Sequence, residues 1–141
     1  MGTEAGGKGS MSKRRTRVFH VDDNSDARTL LGFILQGEED LDEVGSRSSA
    51  EGLLEEVRRT SPDVLLMDLT MEGGDPIEAI RAVRAAFSEL RILVLSGCSD
   101  PEVLERARAA GASGHIVKPS SISETLNAIR GHALTGGMSR N

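Results

Sequence analysis

Five short apolar runs recur at near-regular intervals along the chain, and no other feature of the sequence restricts its fold as strongly: Val18 to Val21, Leu41 to Val44, Val64 to Leu66, Ile92 to Leu95 and Ile116 to Val117. Each suits a buried strand. The stretches that follow them repeat apolar residues at helical spacing instead. Leu30, Phe33, Ile34 and, at the margin, Leu31 mark one helix; Leu53, Leu54 and Val57 a second; Ile77, Ile80, Val83 and Phe87 a third; Val103, Leu104 and Ala107 a fourth; Ile122, Leu126 and Ile129 a fifth. Strands that alternate with helices run parallel, because each crossover needs a helix, and right-handed crossovers cover both faces of the sheet. The predicted fold is α/β, a doubly wound (βα)5 sandwich around a five-stranded parallel sheet.

Helix-end signals agree with this reading. Ser25 or Asp26 opens the first helix, Asp75-Pro76 the third, Asp100-Pro101 the fourth and Ser120 or Ser121 the fifth, while Gly111 and Gly131 fit helix stops. The second strand, "LDEVGSR", is the least regular, because acids interrupt its apolar pattern.

The 141 residues suit one domain, predicted over 17–133. Residues 1–16 are rich in Gly and Ser, then basic, and cannot bury enough surface to order themselves; Gly9-Ser10 resembles an expression scar ahead of a native start at Met11. Residues 134–141 read as a tail or the start of an interdomain linker. Aromatic residues make up 2% of the chain, which removes stacking platforms for single-stranded nucleic acid, and a net charge of -5 has the wrong sign for gripping phosphates. A lone cysteine, Cys98, excludes an internal disulfide and a cysteine-rich zinc cluster. No apolar stretch approaches the length of a membrane span, so a soluble, cytoplasmic protein is expected.

In a parallel sheet the carboxyl ends of the strands lie along one edge, and ligands bind there. The first strand runs into Asp22-Asp23, the third into Asp68, the fourth into Ser96 and the fifth into Lys118-Pro119. Any one acid after a strand is a common helix cap. Three in one crevice repel, and need Lys118 or a divalent cation beside them. Magnesium suits an incomplete oxygen shell from Asp23, Asp68 and a nearby carbonyl. A carboxylate so placed is a nucleophile toward phosphorus, so Asp68 is the candidate acceptor, with the Ser96 hydroxyl and the Lys118 ammonium donating to phosphoryl oxygens.

The motifs "VFHVDDN", "VLLMDLT", "ILVLSG" and "GASGHIVKP", kept in that order, resemble the receiver domain of two-component response regulators. The resemblance implies a flavodoxin-like sheet of order 2-1-3-4-5, the order for which this family is a standard example, and a cis Lys118-Pro119 bond. It implies Asp68 as phosphoacceptor, Mg2+ held by Asp22 (through water), Asp23, Asp68 and the Thr70 carbonyl, and Ser96 and Lys118 as phosphate contacts. The implied donor is a sensor histidine kinase or a histidine phosphotransfer protein, and the implied output a phosphorylation-dependent homodimer through the face of the fourth helix, fifth strand and fifth helix. A phosphorylatable switch rather than an enzyme is expected, as the N-terminal part of a transcriptional regulator.

The chain departs from the family pattern in places. His115 replaces the usual aromatic switch residue, and gating through imidazole or a plain surface histidine both fit. "TMEGGDP" lacks the usual proline after the acceptor, and Gly73-Gly74 loosens that loop. Thr70 and Cys98 flank the path of an attacking water and are neither acid nor amide, so slow self-hydrolysis is expected. A redox role for Cys98 would need its thiolate stabilised by Lys118. His20 reads as a hydrogen-bonded interior residue and His132 as a solvated one. Three alternatives stay open: a stand-alone receiver, a haloacid dehalogenase-type phosphatase, and a pseudo-receiver that is never phosphorylated.

Overall fold

The computed structural model describes residues 14–71, 74–97 and 100–131. The expectations for residues 1–13, Glu72, Gly73, Cys98, His132 and the tail lie outside the described residues. Strands β1 (Thr16–Val21), β2 (Leu41–Arg47), β3 (Val64–Asp68), β4 (Arg91–Ser96) and β5 (Gly114–Val117) alternate with helices α1 (Ser25–Gln36), α2 (Leu53–Thr60), α3 (Pro76–Ala86), α4 (Pro101–Ala110) and α5 (Ile122–Arg130). All the strand pairs are parallel, in the order β2-β1-β3-β4-β5. This is the predicted architecture, strand order included.

Side-chain alternation divides the core in two. From β3, Leu65 and Met67 enter a cluster with Leu53 and Val57 of α2, Ile80 of α3 and Ala107 of α4, while Val64 and Leu66 enter a second with Leu35 of α1 and Leu126 and Ile129 of α5. A central strand buried on both faces reads as a continuous apolar run, which is why "VLLM" shows no alternation.

β1 begins at Thr16, two residues before the apolar run, because Thr16 N–H donates to Asp40 O (2.9 Å) and Arg17 N–H to the Asp63 carboxylate (2.8 Å). The irregular β2 carries a bulge: Val18 pairs with Glu43 but Phe19 with Gly45, leaving Val44 as the extra residue. The interrupting acid Glu43 turns inward and accepts a hydrogen bond from Nε2 of buried His20 at 2.7 Å. His20, 2% exposed, is the interior histidine expected of it.

Two helix faces differ from expectation. In α1, Gly32 and Leu35 are buried and Leu31 and Ile34 pack against the core, while Leu30 is 58% and Phe33 77% exposed. Gly32 lies directly over the His20–Glu43 pair: a Cβ there would lie 2.7 Å from Glu43 Oε2, so a larger residue would have to push the Glu43 carboxylate aside. Ile122 is exposed because it is the first helical residue of α5, and the buried stripe starts at Leu126. The α1 cap is Asn24 rather than Ser25 or Asp26, its side chain accepting from Ala27 N–H at 2.9 Å. Asp75, Asp100 and Ser121 cap α3, α4 and α5 as predicted, and Gly111 and Gly131 close α4 and α5.

At the opposite rim of the sheet, arginines hold the carboxyl ends of the helices. Arg17 donates to Thr60 O and Ser61 O after α2 (2.5 and 3.1 Å), Arg84 to Gly111 O after α4 (2.9 and 3.1 Å), and Arg91 to Ala128 O and Ile129 O of α5 (2.6 and 2.7 Å). Each guanidinium meets carbonyls that have no partner within their helix and lies at the negative end of the helix dipole. Arg130 extends the pattern with a bidentate pair to Asp40 (2.7 Å each) and a bond to Glu38 (2.6 Å). Arg91→Ala should cost about 2 kcal/mol by denaturant unfolding, because it removes two charge-assisted bonds and leaves Ala128 O with only the Gly131 N–H as donor. Arg91→Lys, which cannot reach both, should recover only part, and full stability in either variant would contradict the capping role.

Candidate functional site

β1, β3, β4 and β5 end at one rim, and each delivers a chemically active side chain there. The apolar run of β3 stops at Asp68, which is only 3% exposed; β1 passes directly into Asp22 and exposed Asp23; buried Ser96 ends β4; Lys118 follows β5 and is joined to Pro119 by a cis peptide bond. Parallel register aligns these ends, with Asp68 beside Leu95 and Ser96 beside Val117. Main-chain bonds lock the loops behind them: Leu69 N–H donates to Leu95 O (2.9 Å) and Lys118 N–H to Ser96 O (2.9 Å).

The three carboxylates converge. One oxygen from each of Asp22, Asp23 and Asp68 lies within 4.8 Å of the other two. Lys118 Nζ donates to Asp68 Oδ2 at 3.0 Å and stands 3.9 Å from Asp22 Oδ2. On the other side of Asp68, Oδ1 accepts two bonds from Thr70, from N–H and from Oγ1–H, each 2.8 Å long. Asn24 N–H donates to Asp22 Oδ1 (3.0 Å), and Arg28 holds the Asp22 carbonyl (2.7 Å).

These surroundings push the acids apart. Burial raises the Asp22 carboxyl above its usual range, with Asp68 adding to the rise, while the Asn24 amide and Lys118 offset only part of it. Burial acts on Asp68 in the same direction, but the Thr70 amide, the Thr70 hydroxyl and Lys118 together outweigh it and hold the carboxyl below its usual range. Asp68 is thus the acid kept ionised and Asp22 the one that takes up a proton more readily.

Three carboxylates against one ammonium leave the cluster net negative, and every donor is a hard oxygen. That donor set fits a hard divalent cation such as magnesium and suits zinc poorly. Asp22, Asp23 and Asp68 are the residues able to hold it. His115 stands elsewhere, half-buried on β5 beside Val94, two residues before the level of Ser96. The Thr70 hydroxyl bond to Asp68 was missed from sequence. Its signal was present, since a hydroxyl two residues after an aspartate is a recurrent local partner for that carboxylate.

Residues 18–130 match the family model described as the response regulator receiver domain. The transcriptional regulatory protein LiaR of Bacillus subtilis is 34% identical over 114 residues, covering 81% of this chain and 54% of LiaR. The response regulator GacA of Pseudomonas viridiflava is 32% identical over 114 residues, covering 81% of this chain and 53% of GacA. The chain therefore spans about half the length of the curated relatives it matches. Among solved structures, the response regulator domain of Thermotoga maritima CheB is similar with a TM-score of 0.73 at 27% identity, covering 84% of this chain and 96% of that domain.

Proposed function

Because this chain belongs to the response regulator receiver domain family, we propose that Asp68 is its phosphoacceptor, taking a phosphoryl group from the phosphohistidine of a sensor histidine kinase or histidine phosphotransfer protein. The observation that carries this reading is the unequal clamping of one buried carboxylate, with Thr70 on Oδ1, Lys118 on Oδ2 and two further acids within 4.8 Å. Asp22, Asp23 and Asp68, with the Thr70 carbonyl, would hold Mg2+, which offsets phosphoryl charge when bound. Lys118 and Ser96 then hold phosphoryl oxygens and orient the group for in-line transfer. The domain is a signalling switch in the N-terminal part of a cytoplasmic transcriptional regulator. Among the described residues no helix is long and apolar enough to cross a membrane.

The test is direct phosphorylation. With phosphoramidate and Mg2+ the protein should gain one hydroxylamine-labile phosphoryl group, and chelation of the metal should stop uptake. No mass gain under these conditions would favour a receiver-like binding module. Thr70 offers no acid or amide to orient water, so the phosphoryl group should persist well beyond seconds after the donor is removed; loss within seconds contradicts this.

The reading of the output is a two-state change in which Ser96 closes on the phosphate, His115 moves, and the face of α4, β5 and α5 rearranges into a homodimer contact. Exposed Val117 and Ile122 give that face apolar surface. Sedimentation with and without beryllofluoride checks it, and an unchanged monomer would exclude the dimer.

A further inference from the structure

We infer that Arg28 is a positioning residue for the cation: its guanidinium fixes the peptide between Asp22 and Asp23, and so aims the Asp23 carboxylate at the site that Asp22 and Asp68 share. The inference rests on the reading that these acids hold Mg2+, and deepens it. Arg28 Nη1 donates to the Asp22 carbonyl at 2.7 Å. That carbonyl lies in one rigid plane with the N–H of Asp23, so holding it sets the angle at which the Asp23 backbone, and with it the carboxylate, leaves the end of β1. Two further bonds complete the grip on Asp22: its own N–H donates to Arg47 O of β2 (3.1 Å), and its Oδ1 accepts from Asn24 N–H (3.0 Å).

Neither helix stability nor simple charge accounts for an arginine here. Arg28 is the fourth residue of α1, at the positive end of the helix dipole, where Asp26 is the charge that suits and a cation is unfavourable. It also brings positive charge to the side of a site that has to attract a divalent ion. What remains is the bond that its half-buried side chain makes. Its main-chain N–H donates to Asn24 O (3.1 Å), and Asn24 Oδ1 accepts from Ala27 N–H (2.9 Å), so the guanidinium rides on the same turn that it ties to Asp22. Groups that orient metal ligands from outside carry much of a site's affinity, because ligands already in place need not be ordered when the ion arrives.

The two contributions Arg28 can make have opposite signs. As a charge it repels the metal, and its removal tightens binding; as an orienting group it holds Asp23 ready, and its removal weakens binding. They also differ in what they select. Repulsion acts alike on any divalent ion, whereas orientation matters most for Mg2+, which demands near-ideal octahedral geometry, and less for Ca2+, which accepts irregular shells.

Arg28→Met keeps the apolar stem and removes the guanidinium; Arg28→Lys keeps the charge and a donor of similar reach. Mg2+ and Ca2+ affinities of the unphosphorylated 141-residue chain and of both variants are measured by titration calorimetry, with urea unfolding in the absence of metal as a separate report on stability. Arg28→Met should bind Mg2+ about tenfold more weakly than the parent and lose less affinity for Ca2+, so its preference for Mg2+ falls. Arg28→Lys should lie between the two proteins for Mg2+, and it carries the comparison with the parent if Arg28→Met is unfolded without metal. Unchanged or tighter Mg2+ binding by Arg28→Met, equal weakening for both ions, or an Arg28→Lys protein no better than Arg28→Met overturns the positioning role alone. A parent chain that binds no Mg2+ overturns the metal reading, and this inference with it.

Discussion

The Asp68→Asn protein should take up no phosphoryl group from phosphoramidate and Mg2+, while remaining folded. This is the largest functional effect expected of any single substitution. The amide replaces the carboxylate that Thr70 holds on Oδ1 and Lys118 on Oδ2, and it withdraws one carboxylate from the cation-binding cluster. Its carbonyl oxygen can still accept from Thr70, which turns the amide NH2 toward Lys118 and places two donors face to face. Lys118 has an alternative partner, since Asp22 Oδ2 lies 3.9 Å away. Loss of the Lys118 bond is offset by relief of repulsion among three acids, so unfolding free energy should change by less than about 1 kcal/mol. Parallel mass spectrometry and denaturant titration separate the two outcomes. A substituted protein that gained phosphoryl at the parental rate would move the acceptor to another residue.

Gly45→Ala should cause the largest loss of stability, about 3 kcal/mol or a fall in melting temperature of roughly 10 °C. Gly45 pairs with Phe19 just past the β2 bulge, and a Cβ there would sit 2.7 Å from ring Cε2 and 3.0 Å from Cδ2. The ring cannot retreat. Phe19 is fully buried in the core cluster with Val21, Leu53 and Leu65, and the alternative is to open the β1–β2 pairing. Phe19→Leu makes room at the cost of a small cavity, so the double variant should be more stable than the two single costs predict, by about 1 kcal/mol or more. Strict additivity in urea titrations would show that the contact between these two residues is not the source of the loss.

Much of this was legible in the chain because it depends on local pattern. Runs buried on both faces are continuous in sequence, helix caps are one or two residues long, and residues at strand ends are gathered by any parallel sheet; Asp22, Asp23, Asp68 and Lys118 needed no more than that. What could not be read depends on partners distant in sequence. The rotation of α1, which exposes Leu30 and Phe33, brings Gly32 against Glu43 of β2, a residue far from it in the pattern of the helix itself. The arginine contacts to helix ends join residues whose pairing only the finished fold creates, such as Arg91 with Ile129. The Thr70 hydroxyl is the opposite case, a local partner two residues from Asp68 that the chain does carry in plain view.

The arginines at the far rim also make stability and signalling separable by genetics. The groups that hold the helix ends, Arg17, Arg84 and Arg91, share no hydrogen bond or ion pair with Asp22, Asp68 or Lys118 among the contacts described. A screen that scores only abundance should collect substitutions at one rim, and a screen that scores only output should add those at the other. Variants of the two kinds, combined, should behave as independent lesions. Natural sequences could then retune the chemistry at one end of this sheet without renegotiating what keeps it folded.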